Sequence, residues 1–138
     1  MEVRPVSRQC LCKPADVLIV PCGGGSNCGQ ATAEAAVQLT NDGVGEVFCL
    51  AGIAARVLEM LDIARQAKRL LVIDGCGLQC ARQTVEQAGL RVTDHIDLSE
   101  EELMKSRDFT RIQQNVLFIV KLAKQRLSEA PKGASPNE

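Results

Sequence analysis

The sequence predicts an open three-layer α/β fold, a mostly parallel sheet of about four strands with helices on both faces. Three observations predict it. Short apolar runs lack the alternation of a half-exposed strand; three of them end in a cysteine; and helix-patterned segments lie between them. Runs buried on both faces and joined by helices are what a parallel sheet with crossover connections requires.

The elements justify themselves in order. Asp16-Val-Leu-Ile-Val-Pro-Cys22 is the first strand, and Pro21, which has no ladder donor, marks its end. Cys22-Gly-Gly-Gly-Ser-Asn-Cys-Gly-Gln30 is a glycine-rich loop that opens a helix over 30–39, favoured by Ala31, Ala33, Ala35 and Ala36 and stopped by Asn41-Asp42-Gly43. Glu46 to Leu50 is the second strand. Ala51-Gly52 turns the chain into a helix through Lys68, with Ile53, Val57, Leu61 and Ala64 on one stripe. Leu70 to Ile73 is the third strand, broken by Asp74-Gly75 and followed by a helix through Ala88. A more polar fourth strand spans Arg91 to Leu98. Ser99 and Glu102 then read as a capping box, with Leu98 packing on Leu103. The last helix runs from Asp108 to Leu127, and its turn Leu117-Phe-Ile-Val120 is apolar all round, for core or for a partner. Residues 1–14 read as an irregular segment, 15–128 as a single α/β domain and 129–138 as a disordered tail.

Bulk properties exclude several functions. A chain of 138 residues can bury an ordinary core without staples. Sixteen basic against seventeen acidic residues leave no broad footprint for nucleic acid or an anionic membrane. With no Trp or Tyr and three Phe, stacking on single-stranded bases is not expected. The longest early apolar run is far too short to span a bilayer. Seven cysteines, an odd number, without an export signal, fit a cytoplasmic protein with reduced thiols.

Those thiols are the candidate chemistry. If the first strand is central and flanked by the second and third, then Cys22, Cys49 and Cys76 share the carboxyl edge of the sheet, where such folds bind ligands. Adjacent strands lie about 4.8 Å apart. Zinc takes thiolates at roughly 2.3 Å in a tetrahedron, and Cys80 can swing back from the first turn of its helix as the fourth donor. Sulfur donors favour zinc or an iron–sulfur cluster over magnesium or calcium. Cys10 and Cys12 read as auxiliary ligands or, better, as exposed thiols of a mobile arm. Cys28 depends on the glycine loop.

Other motifs are weaker. The glycine loop lacks the Gly-Lys-Ser/Thr ending of a P-loop and departs from Gly-x-Gly-x-x-Gly. Asp74 either orients loop amides near the site or forms the turn, the turn being the simpler role. His95, the only histidine, reads as structural or exposed rather than as a ligand. Arg65, Lys68 and Arg69 read as a solvated helix end.

The ordered set Cys22-Gly-Gly-Gly-Ser-Asn-Cys-Gly-Gln30, Cys49-Leu-Ala-Gly-Ile53 and Asp74-Gly-Cys-Gly-Leu-Gln-Cys80 resembles the DGC domain family, named for the tripeptide found here as Asp74-Gly75-Cys76. The resemblance implies a zinc-binding protein without an assigned reaction, its candidate ligands Cys22, Cys49, Cys76 and Cys80; Cys28, Cys10 and Cys12 fall outside that set. The rival expectation is a metal-free thiol redox enzyme or sulfur carrier using Cys76 with Cys80 or Cys22. An iron–sulfur protein would draw on the same donors. The expected partner is a metal ion, without nucleic acid or membrane, and the Leu117–Val120 turn leaves room for a homo-oligomer or a protein partner.

Overall fold

The computed structural model describes residues 11–101 and 103–133. Four strands, β1 (Val17–Pro21), β2 (Glu46–Val47), β3 (Arg69–Asp74) and β4 (Asp94–Asp97), form one parallel sheet in the order β2-β1-β3-β4. The register runs from Val17 opposite Arg69 to Pro21 opposite Ile73, and from Leu71 opposite Asp94 to Asp74 opposite Asp97. This is the expected open α/β fold, with the first strand flanked by the second and third.

The unbroken apolar runs are explained by which face each residue meets. Ile19, Leu71 and Ile73 are fully buried on one side, against α1 (Asn27–Asn41) and α5 (Ile112–Ser128), through Ala31, Ala35, Leu39 and Ile119. Leu18, Val20 and Val72 are fully buried on the other side, against α2 (Leu50–Ala54), α3 (Leu58–Gln66) and α4 (Cys80–Gln87), through Ile53, Leu61, Ala81 and Val85. Alternate residues of one strand therefore serve two cores, and each buried Leu, Ile or Val contributes about 1.5–3 kcal/mol. Helix α1 leaves β1 on one face and α4 leaves β3 on the other. Their loops diverge between β1 and β3, where strand order reverses, and a crevice opens there.

Several elements differ from expectation. The predicted second helix is two, because Arg56 takes φ 60° between α2 and α3 and donates its guanidinium to Gln87 O at 2.9 Å. Val57 consequently leaves the stripe and is exposed. The second strand stops at Val47. The fourth begins at Asp94, and α5 begins at Ile112 after an exposed turn in which Asp108 accepts from Thr110. Ser99 donates its hydroxyl to Asp97 at 2.6 Å and sits in a 3-10 turn, Leu98–Glu101; its expected capping partner Glu102 lies outside the described residues.

Arg69 is not part of a solvated helix end. It opens β3, and its guanidinium grips the fully buried Asp94 carboxylate at 2.8 and 3.1 Å and the α5 carbonyl of Leu127 at 2.9 Å. Arg65 and Lys68 do form exposed ion pairs, with Asp62 and Asp16. In the expected tail, Gly133 N donates to Thr93 O at 2.7 Å, while 134–138 lie outside the described residues. Cys12 is half-buried against the α2–α4 side of the core rather than exposed, and Cys10 lies outside the described residues. No helix among the described residues is long and apolar enough to cross a membrane.

Candidate functional site

The crevice between the β1–α1 and β3–α4 loops is a cavity of about 570 Å³, within the size range of small-ligand sites. Cys22, Cys76 and Cys80 line it, with Gly24, Gly25, Ser26, Asp74 and, from the segment before α5, Lys105 and Arg107.

Each residue of the Asp74-Gly75-Cys76 tripeptide has its own physical task. Asp74 is buried at the end of β3, and its carboxylate accepts from Ala81 N at 2.8 Å and Arg82 N at 3.2 Å, so it caps α4. Capping, not the turn, is its role. The same carboxylate meets His95 Nε2 at 2.7 Å, and Arg82 Nη1 lies 3.3 Å from His95 Nδ1. A guanidinium can only donate, which makes Nδ1 the acceptor and Nε2–H the donor to Asp74. His95 thus ties β4 to the Asp74 carboxylate and to Arg82 of α4. Gly75 lies where a Cβ would come within 2.8 Å of Gly29 N and 3.0 Å of the Cys28 carbonyl carbon, so only glycine lets the two loops touch. Gly29 is the counterpart, since a Cβ there would meet Gly24 O at 2.6 Å.

Cys76 is the third. Lys105 Nζ donates to its Sγ at 3.3 Å on the cavity wall. Cys22, at the end of β1, is held differently: its Sγ accepts from Gly75 N at 3.3 Å and lies 3.6 Å from Thr32 Oγ1. Thr32 donates its own proton to Gly29 O at 2.7 Å and accepts from Gly23 N at 3.1 Å. The Cys22 S–H is therefore the donor in that contact. Cys80 opens α4 and is exposed at the rim.

Cys28 is fully buried in the first turn of α1, with its Sγ 3.9 Å from Met104 O. Burial first, then the neighbouring Cys76 and Cys22 sulfurs, push its thiol pKa up, against the weaker opposite pull of Lys105. Cys49 does not reach the cavity. It is the N-cap of α2, and its Sγ accepts from Gly52 N at 3.3 Å. The structure thus brings together Cys22, Cys76 and Cys80, and places Cys49 on the neighbouring turn. The donors suit zinc chemically, but among the described residues no three His, Cys, Asp or Glu side chains converge closely enough to hold a metal ion.

Three contributors escaped sequence reasoning. Lys105 and Arg107 stand in a segment without periodicity, between the two helix-start signals. Asn27 brings them in: its amide donates to Met104 O at 2.9 Å, its carbonyl oxygen accepts from Ser106 N at 2.7 Å, and its backbone N–H donates to Ser106 O at 2.9 Å.

Residues 18–121 match the DGC domain. The chain belongs to the DGC domain family. It is also 32% identical over 88 residues to the anaerobic and virulence modulator AnvM of Pseudomonas aeruginosa, covering 64% of this chain and 67% of that protein. No solved structure matches the chain. Within the DGC match lie all the cavity thiols, Asp74, Gly75, and both cations Lys105 and Arg107.

Proposed function

We propose that this DGC domain is a thiol-based redox or sulfur-handling protein that works through Cys76, with Cys22 or Cys80 as the resolving thiol. The observation that carries this reading is the 3.3 Å contact of Lys105 Nζ with Cys76 Sγ on the wall of a ligand-sized cavity. An ammonium can only donate, so Lys105 holds the Cys76 sulfur in place on the cavity wall, where that sulfur can act as nucleophile toward a bound ligand. Attack on a small disulfide would form a Cys76 mixed disulfide and release one thiolate; the second cysteine would then displace the other half and close a Cys76 disulfide. Such chemistry belongs in a reducing compartment, so the cytoplasm is the proposed location. The likeness to a protein named as an anaerobic modulator is in keeping with a redox-sensitive role.

A second reading is zinc held by thiolates, supported by Cys22, Cys76 and Cys80 lining one cavity and by the family resemblance. With Cys49 as the fourth ligand it requires that sulfur to leave the α2 cap. An iron–sulfur cluster would use the same donors. One experiment on protein purified without oxygen separates the readings: metal analysis together with iodoacetamide labelling mapped by mass spectrometry. The thiol reading expects metal-free protein in which Cys76 labels well ahead of Cys22, Cys28 and Cys49. Stoichiometric zinc with Cys22, Cys76 and Cys80 all protected until a chelator is added would replace it with the second.

A further inference from the structure

Two cations border the cavity, and they are presented by a built device rather than by chance exposure. The buried Asn27 clamps the residues on either side of Lys105, through Met104 O, Ser106 N and Ser106 O, and Arg107 follows directly after the clamp. Arg107 is further fixed by donating Nη1 to Gly25 O at 2.7 Å and by lying 5.4 Å from the centre of the Phe109 ring. A guanidinium has five N–H donors and an ammonium three. Those two partners and the Cys76 contact leave both groups with donors to offer a ligand. The opposing charge is weak in this respect: Asp74, the cavity's carboxylate, is 1% exposed and spends its oxygens on Ala81 N, Arg82 N and His95. The remaining loop residues, Gly24, Gly25 and Ser26, carry no charge.

We propose that Lys105 and Arg107 make the cavity selective for an anionic small molecule, one bearing a carboxylate or a comparable oxyanion, and hold it beside Cys76 Sγ. This rests on the thiol reading of Cys76 and names the ligand class of that site. Lys105 would meet the sulfur and the ligand together, whereas Arg107, held at Gly25 O and beside Phe109, would offer the ligand its remaining donors. A small carboxylate-bearing thiol or disulfide would satisfy both the sulfur and the cations.

The probes are iodoacetate and iodoacetamide, which alkylate a thiolate by the same displacement of iodide but differ in charge. The readout is the ratio of their rates at Cys76, measured by mass spectrometry on the full chain and normalised to the same ratio for 2-mercaptoethanol. The normalised ratio should exceed one, and should fall about threefold in each of Lys105→Met and Arg107→Gln, the factor expected for one exposed charge several ångströms away. High salt should lower it in the same direction. A normalised ratio at or below one in the unaltered protein, or one unmoved by both substitutions, overturns the anion proposal while leaving the thiol reading in place. Failure of Cys76 to react with either reagent overturns the thiol reading, and with it this inference, so the two failures are told apart.

Discussion

Cys76 and Cys49 each lie between an apolar strand and the helix that follows it, Cys76 in Asp74-Gly-Cys-Gly-Leu78 and Cys49 in Val47-Phe-Cys-Leu-Ala-Gly52, yet the fold uses them in opposite ways. After β3 the chain runs on through Gly75 against the first turn of α1, and Cys76 is left facing a crevice with a lysine from a distant segment at its sulfur. After β2, which stops at Val47, the chain turns at once into α2, and the Cys49 sulfur is spent on the amide three residues ahead. The β1–β3 boundary is where strand order reverses and the loops separate; the β2 edge has a neighbour on one side alone. A cysteine at a strand end becomes available for chemistry when the topology opens space above it. Where the next helix starts immediately, the same thiol becomes a cap.

Gly75→Ala should break the contrast most severely. Its Cβ would press on backbone atoms of Gly29 and Cys28, and we expect a loss of about 2–4 kcal/mol in urea unfolding, in the range of overpacking combined with backbone displacement. Gly52→Ala, at the β2 edge, meets the flexible end of Met60 instead and should cost distinctly less. Equal costs would show that the two turns are packed alike.

Asn27→Ala comes next. It removes the side-chain clamp on Met104 and Ser106 and leaves their polar groups to water, for about 1–3 kcal/mol. Limited trypsin digestion should then cut after Lys105 and Arg107 at a rate well above that of the unaltered protein. An unchanged cleavage rate would mean that the strap is held by something other than Asn27.

Asp97 sharpens the account of the β3–α4 side. Burial opposes its ionisation, but hydrogen bonds from the Ser99 hydroxyl, the Gln79 side chain and the Ser99 amide outweigh it, and its pKa lies below the ordinary carboxylate value. A depressed folded pKa means stability that is present above the unfolded value of about 3.9 and is lost as pH falls through the lower folded value. The stability gap between the unaltered protein and Asp97→Asn, followed by urea midpoint, should therefore be full near pH 6 and shrink below about pH 4.

The smallest effects concern Cys49 and Phe118. Serine is a better N-cap than cysteine, so Cys49→Ser should keep stability within about 0.5 kcal/mol and leave Cys76 labelling unchanged. Loss of bound zinc in Cys49→Ser, with zinc retained in Cys28→Ser, would return Cys49 to the site. Phe118 is 38% exposed beside the buried Ile119 and Val120, so Phe118→Glu should give folded protein; a smaller assembly by light scattering would identify that face as a protein interface.

The residues alone determined the fold class, and with the first strand taken as central they directed the candidate thiols to the carboxyl edge of the sheet; the strand order itself came from the structure. The fold class and that edge follow from local patterns: apolar runs too continuous to be half-exposed, and glycine-rich breaks that end them. The positions of individual sulfurs were partly legible. Cys22 and Cys76 follow from strand ends on neighbouring strands, and Cys80 from its place at the start of a helix. What separates Cys49 from them is the early end of β2, set by how few residues that edge strand can pair, which no run of apolar letters reveals. The strap was illegible for a different reason. Lys105 and Arg107 have no periodicity of their own, and they reach the cavity because Asn27, about eighty residues earlier in the chain, offers an amide of matching geometry. Local sequence determines which segments fold into which elements; tertiary structure alone decided which side chains share the crevice, because that depends on hydrogen bonds between segments whose sequences carry no sign of one another.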